Sequence, residues 1–306
     1  MFSSLLVPLD GSEFSEEALP LAGLLGRSLG SQIHLVHVIR PAPDADLKSP
    51  QEDLDWKQKV RAGAEEYLGE LAAAFREEGI QVQTDVLEGP VVDALGEHLE
   101  DRGIPLVVMT THGSGGFRRW WLGSVADGLL RRGPGNLLLV RPWDDTEDRP
   151  REDPRFRHLV VPLDGSIEGE AALGPARELA LTFGAERTYV RAIPAPVELT
   201  SIYGMAGVRF EGEGHRTRRA EAEEYLEAVL EREENDGVEK PAAQVVEHRH
   251  AADGVIEAAH KLDGDLLVLS SHGRGGLTRM VLGSVADKVI RGTTLPVLVI
   301  RPPDAD

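Results

Sequence analysis

Apolar residues fall into short runs separated by longer amphipathic stretches. Leu5–Leu9, Ile33–Ile39, Val82–Leu87, Leu106–Met109 and Leu137–Val140 are Leu-rich or β-branched, and the most apolar are continuous, the pattern of strands covered on both faces. Between the first two lies Ser12–Leu29, opening with a Ser N-cap and Glu16 in its first turn. Val60–Glu77 places Ala64, Tyr67, Leu68, Leu71, Ala74 and Phe75 at the i, i+3, i+4, i+7 spacing of an amphipathic helix. Strands alternating with helices of this length predict right-handed βαβ units and a parallel sheet. The expected fold is α/β and doubly wound, with five strands and about four helices to a unit.

The pattern then repeats. Leu6-Val7-Pro8-Leu9-Asp10-Gly11-Ser12 returns as Val160-Val161-Pro162-Leu163-Asp164-Gly165-Ser166, and Ala64-Glu65-Glu66-Tyr67-Leu68 as Ala222-Glu223-Glu224-Tyr225-Leu226. Leu122-Gly123-Ser124-Val125-Ala126-Asp127 returns as Leu282-Gly283-Ser284-Val285-Ala286-Asp287. The offset grows from 154 (Asp10 to Asp164) to 160 (Gly123 to Gly283), placing the extra length of the second copy between about Ile193 and Ala251. A charged, proline-bearing stretch without aliphatics, Asp144–Pro154, separates the copies as a linker. The expected domains are 1–142 and 156–306, joined by 143–155.

Charge narrows the chemistry. Fifty-two acidic residues against 33 Lys and Arg give −19 and a pI near 5.0, so the surface repels nucleic-acid phosphates and anionic lipid. An anionic ligand would have to be held by a local device such as glycine amides or a helix N-terminus. There are no cysteines, which excludes disulfides, thiolate catalysis and Cys-ligated metals. The opening Met1–Pro8 has no basic n-region and reads as a strand, and no apolar run approaches the roughly 20 residues of a membrane span. The expected location is the cytoplasm.

Ligands of open parallel sheets bind beyond the carboxyl ends of the strands, where strand order reverses. That selects Asp10-Gly11-Ser12, Val38-Ile39-Arg40-Pro41 and Thr110–Gly116, with the Gly123-Ser124 turn opening a further helix. Glycine amides, the Ser124 hydroxyl and a free helix N-terminus could together cradle a phosphate chain without any lysine. The alternative is that the glycines only make turns and Ser124 only caps a helix. No Gly-Lys pair occurs, which excludes a Walker loop, and Arg118 stands where a Gly-x-Gly-x-x-Gly fingerprint starting at Gly113 needs its last glycine.

With His112-Gly113-x₂-Gly116, the Gly123-Ser124 turn, Arg141-Pro142 and the Val7–Ser12 opening, each half resembles the universal stress protein family, and the chain as a whole a tandem member. The resemblance implies a five-stranded parallel sheet of the adenine nucleotide alpha hydrolase-like type, and pairing of the domains through Leu137–Val140 and Val297–Ile300. Members with Gly-x₂-Gly-x₉-Gly-Ser/Thr resemble ATP binders, so ATP, with or without Mg²⁺, is the implied ligand. Carried over, Asp10 and the Val38 backbone would face adenine and ribose. Gly113, Gly116, Gly123, Ser124 and Val125 would hold the phosphates, with Pro8, Met109 and Thr110 completing the site. The second site would use Pro162, Asp164, Ala192, Leu269, Ser270, Gly273, Gly276, Gly283, Ser284 and Val285. The first glycine of the pattern is replaced by Thr110 and Ser270, which narrows the approach or adds a hydroxyl donor.

Other candidates carry weaker signals. His112 and His272 could act as general bases, or be tied to backbone. Asp127–Arg131 and Asp287–Arg291 have the spacing of i, i+4 ion pairs, and Asp10 and Asp164 that of Mg²⁺ ligands or helix caps. His248-Arg249-His250 puts two imidazoles on one face of a strand without a third ligand. Trp120-Trp121 suits an interface, and Arg209, Arg216, Arg218 and Arg219 form a basic island that is either a lid or partner contact or a solvated loop. No catalytic residue or resident metal is expected, and a homodimer stays open. The function expected is a nucleotide-responsive stress or regulatory protein, with a slow ATPase and a non-binding scaffold as the alternatives.

Overall fold

A computed structural model of the chain describes residues 2–40, 50–111, 122–141, 154–199, 208–210, 212–236, 241–273 and 282–302. Two compact units are formed; the body of the first is Met1–Arg155 and the second begins at Phe156. In the first, β1 (Ser4–Pro8), α1 (Glu13–Glu16), α2 (Leu19–Leu29), β2 (Gln32–Ile39), α3 (Pro50–Glu77), β3 (Val82–Glu88), α4 (Val91–Arg102), β4 (Leu106–Thr110), α5 (Ser124–Arg132) and β5 (Asn136–Val140) follow in order. The strands lie β5-β4-β1-β2-β3 and pair in parallel. Every residue of β4 and β5 is buried, as are Leu5, Leu6 and Val7 of β1, so helices cover both faces.

The second unit repeats this plan. In chain order the second copy of the repeat runs β6 (His158–Pro162), α6 (Ile167–Glu170), α7 (Leu173–Phe183), β7 (Glu186–Pro194), β8 (Val197–Leu199), β9 (Val208–Phe210), α8 (Glu213–Asn235), β10 (Ala242–His248), α9 (Ala251–Lys261), β11 (Leu266–Ser270), α10 (Ser284–Gly292) and β12 (Val297–Ile300). The strand order is β10-β7-β6-β11-β12. β8 and β9 form a separate antiparallel pair inside the segment where the repeat offset grows.

Two local readings change. The helix expected over Ser12–Leu29 is split into α1 and α2, with Pro20 in the first turn of α2, where its missing N–H costs nothing. Ser12 does cap α1, accepting from the Ser15 amide at 3.2 Å, and Ser166 caps α6 through Gly169 at 3.0 Å. α3 starts at Pro50 rather than Val60.

The two cores differ in chemistry. In the first, Phe75 of α3 packs over Gly23 of α2, where an added Cβ would meet the ring at 3.0 Å. The equivalent residues of the second, 158 positions on from Phe75 and 154 on from Gly23, are Glu233 and Arg177. Glu233 is buried and accepts from Arg177 Nη2 at 2.5 Å and from the Tyr189 hydroxyl at 2.6 Å. Burial and the Glu233 contact push the Tyr189 phenol well above its usual range.

Candidate functional site

β1 leads to β2 on one side and β4 leads to β5 on the other, so strand order reverses between β1 and β4, where an open parallel sheet has its crevice beyond the carboxyl ends of the strands. After β1, Gly11 takes the left-handed conformation with φ 80°, as does Gly165 with φ 78° after β6. This lets Asp10 fold back on its own loop, where Oδ1 accepts from the Ser12 amide at 3.0 Å and hydroxyl at 2.5 Å. Asp164 holds Ser166 at the same distances. The serines are therefore the helix caps, and the aspartates are the groups that orient them.

The Leu9 amide reaches the Val36 carbonyl at 2.8 Å, the last bond of the β1–β2 ladder. Alternate residues send their backbone groups to the same side of a strand, so those of Val38 come next along that edge, facing the crevice. Leu163 bonds Val190 at 2.8 Å, and Ala192 takes the same position in the second unit. Pro8, Val38, Pro162 and Ala192 are half-buried. Met109, Thr110, Leu269 and Ser270 are buried at the ends of β4 and β11, forming the floor of each crevice.

Behind that floor stands an open helix end. The Gly123 amide donates to the Thr111 carbonyl at 2.6 Å, and the Gly283 amide to Ser271 at 2.8 Å, tying the start of α5 or α10 to the loop after the fourth strand. Gly123 and Gly283 occupy the cap positions, and neither helix has a side-chain cap. Helical bonding begins with the Asp127 amide to Gly123 and the Asp287 amide to Gly283, both at 2.9 Å. The amides of Ser124–Ala126 and Ser284–Ala286 lie ahead of that first bond, at the positive end of the helix dipole. Ser124 is thus the first helical residue and does not cap.

In the second unit, Asp164, Gly273 and Gly283 come together. A Cβ on Gly273 would fall 2.3 Å from Asp164 Oδ2, and one on Gly283 would fall 3.3 Å from the Ser271 carbonyl. The glycine at 273 is therefore needed for the close approach of a carboxylate of this same chain. His272 places Nδ1 2.8 Å from the Ser271 hydroxyl, and its amide donates to Ser270 Oγ at 3.3 Å; among the described contacts no carboxylate is bonded to its ring. Gly113, Gly116 and Gly276, with His112, Trp120, Trp121 and the side chain of Arg209, lie outside the described residues.

The remaining candidates resolve locally. Asp127–Arg131 and Asp287–Arg291 are ion pairs at 2.9 and 3.0 Å. Arg219 bonds Glu223 at 2.8 Å and Glu247 at 2.7 Å, which ties that part of the basic island to its own unit. His248 and His250 do not share a strand face: β10 ends at His248, whose Nδ1 lies 3.1 Å from the His250 amide, and His250 precedes α9. A residue set that no sequence motif marks is His34, Asp85 and His98, whose donor atoms converge in the first unit.

Fold and site define a duplicated, doubly wound α/β protein with an uncapped helix start at each topological switch point. The sequence pattern described as "Universal stress protein family" matches residues 1–141 and 155–301, and the chain belongs to that family. A universal stress protein of Mycolicibacterium smegmatis is 28% identical over 311 residues, covering 97% of each chain. One of Mycobacterium tuberculosis is 27% identical over 303 residues, covering 97% of this chain and 96% of its own. Among solved structures, a universal stress protein of Archaeoglobus fulgidus superimposes with a TM-score of 0.70 at 22% identity, over 98% of this chain and 99% of the other. Among the described residues, no helix is long and apolar enough to cross a membrane.

Proposed function

We propose that the chain is a nucleotide-responsive regulatory protein that binds ATP, with or without Mg²⁺, at the carboxyl ends of its strands and hydrolyses it little or not at all. The observation that carries this reading is the pair of uncapped helix starts at Ser124 and Ser284, each held by a glycine amide against the loop after the fourth strand. Neutral amides at the positive end of a helix suit a polyphosphate even on a chain of net charge −19. Asp10 and the Val38 edge would take the nucleoside. Each domain, near 1–142 and 156–306, would be a binding unit, and pairing through Leu137–Val140 and Val297–Ile300 is kept as part of the proposal.

A scaffold without nucleotide is the second reading, favoured by the carboxylate of Asp164 lying against Gly273 in the second unit. Calorimetric titration of the full chain with Mg-ATP separates the two. The first reading expects saturable heat that Gly123→Val and Gly283→Val weaken at least tenfold, since the added side chain pushes the helix start off its loop. Affinity unchanged in both variants would remove the site assignment, and no heat at all would favour the scaffold.

A further inference from the structure

The first unit gathers His34 of β2, Asp85 of β3 and His98 of α4. Asp85 Oδ2 lies 3.9 Å from His34 Nδ1 and 3.6 Å from His98 Nε2, and the three atoms are all within 4.8 Å of one another. None of the three has a hydrogen-bond partner, although each is shielded from solvent. The His34 side chain is 5% exposed and that of His98 9%. Buried polar atoms are nearly always paired, so three orphans facing one point are an unusual arrangement.

The distances are too long for direct hydrogen bonds. The two distances from Asp85 Oδ2, 3.6 and 3.9 Å, are only slightly longer than the about 3.3–3.5 Å that separates ligand atoms around an ion with bonds of about 2.0–2.2 Å. Asp85 is also oriented: its Oδ1 accepts from Arg102 Nη2 at 3.2 Å, and Arg102 Nη1 reaches Gln83 Oε1 at 3.1 Å. That clamp turns Oδ2 toward the imidazoles, as outer groups orient ligands at metal sites. Burial favours the neutral, ligating form of both histidines. The Arg102 charge opposes any cation, which selects against hard ions such as Mg²⁺ and for those that bond imidazole strongly.

We propose that His34, Asp85 and His98 form a three-ligand site for a divalent transition ion of the zinc class, with the fourth position open to water or another donor. The second unit provides an internal control. His34 and Thr188 hold the same place in the strand register, opposite Gln83 and Ala242, and two residues further on Asp85 matches Gln244. Ala258 stands 160 positions on from His98. Thr188 there bonds His158 Nε2 at 2.8 Å, leaving no ligand set.

The test uses the full chain, stripped with chelator and titrated with Zn²⁺ and separately with Co²⁺. One ion per chain is expected, with the visible absorption of four-coordinate Co²⁺. Affinity should fall at least tenfold in His34→Gln and in His98→Gln and stay unchanged in His248→Gln. Should the core variants fail to fold, nitrogen-detected spectra of the wild-type imidazoles answer the same question, because two of the 10 histidines, those at 34 and 98, should shift with equimolar Zn²⁺. Absence of stoichiometric binding, or binding lost in His248→Gln and kept in the other two, overturns the site.

Discussion

The two halves are built on one backbone plan, yet they place charge in opposite ways. In the first, the α2–α3 contact is apolar, Phe75 against Gly23, and its ion pair, Arg27 with Glu78, lies at the surface. In the second, Arg177 and Glu233 bring the charge inside, with Tyr189 and Arg187 beside the carboxylate and Asp236 on the outer edge. Conversely, the first half leaves three buried polar atoms at His34, Asp85 and His98, where the second has a satisfied threonine. The crevice at the strand ends is common to both. This fold therefore tolerates large changes in core polarity away from the switch point.

The largest test of that view is Glu233→Ala. It leaves the buried Arg187 without its carboxylate and Arg177 with only Asp236, and should cost about 3–5 kcal/mol in denaturant unfolding. Replacing the whole set by the first half's residues (Arg177→Gly, Arg187→Ile, Tyr189→Leu and Glu233→Phe) should cost far less, because no charge is stranded. Equal losses in the two experiments would show that the two cores are not interchangeable.

Next come Gly11→Ala and Gly165→Ala, each forcing a Cβ into the left-handed region at a cost of about 1–2 kcal/mol. The shared plan predicts matching drops in melting temperature. Unequal drops would mean that the two switch-point loops are not under the same constraint.

Smaller effects distinguish the helix contacts. Tyr67 donates to Glu16 and Tyr225 to Glu170, both at 2.9 Å, but Glu170 also takes two bonds from Arg232, at 2.9 and 3.1 Å. Each Tyr→Phe change should cost about 0.5–1.5 kcal/mol by thermal unfolding, and Tyr67→Phe the more, since Glu170 keeps its arginine. The Arg232 bonds hold the Glu170 carboxyl below its usual value of 4.5. A depressed acid contributes stability that is present above that usual value and is lost as pH falls through the folded one. Glu170→Gln should therefore flatten the acid side of the stability profile below pH 4.5, the smallest effect of the series; an unchanged slope would remove that role.

Much of the fold was legible because it rests on local signals. Continuous apolar runs marked the strands of the first half, Ser12 its cap, and the repeat offset the segment where β8 and β9 lie. The crevice followed from strand alternation alone. What was not legible depends on residues remote in sequence. His34 and His98 are 64 positions apart (98 less 34), and only the packing of α4 against β2 and β3 brings them together. A histidine inside the apolar run Ile33–Ile39 was the one local hint. The Glu233 network was hidden for the same reason, although aligning the copies sets Glu233 on Phe75 and Arg177 on Gly23. The close approach of Gly273 to Asp164 also escaped spacing arguments, since the two are remote in sequence.

On the proposed function, neutral amides at the switch points hold an adenine nucleotide on an acidic chain. Native mass spectrometry of the full protein with Mg-ATP tests it most directly. Mass increments of one or two nucleotides per chain that diminish together in Gly123→Val and Gly283→Val are predicted. A chain that carries no nucleotide at millimolar ATP, or that retains it undiminished in both variants, would contradict the account.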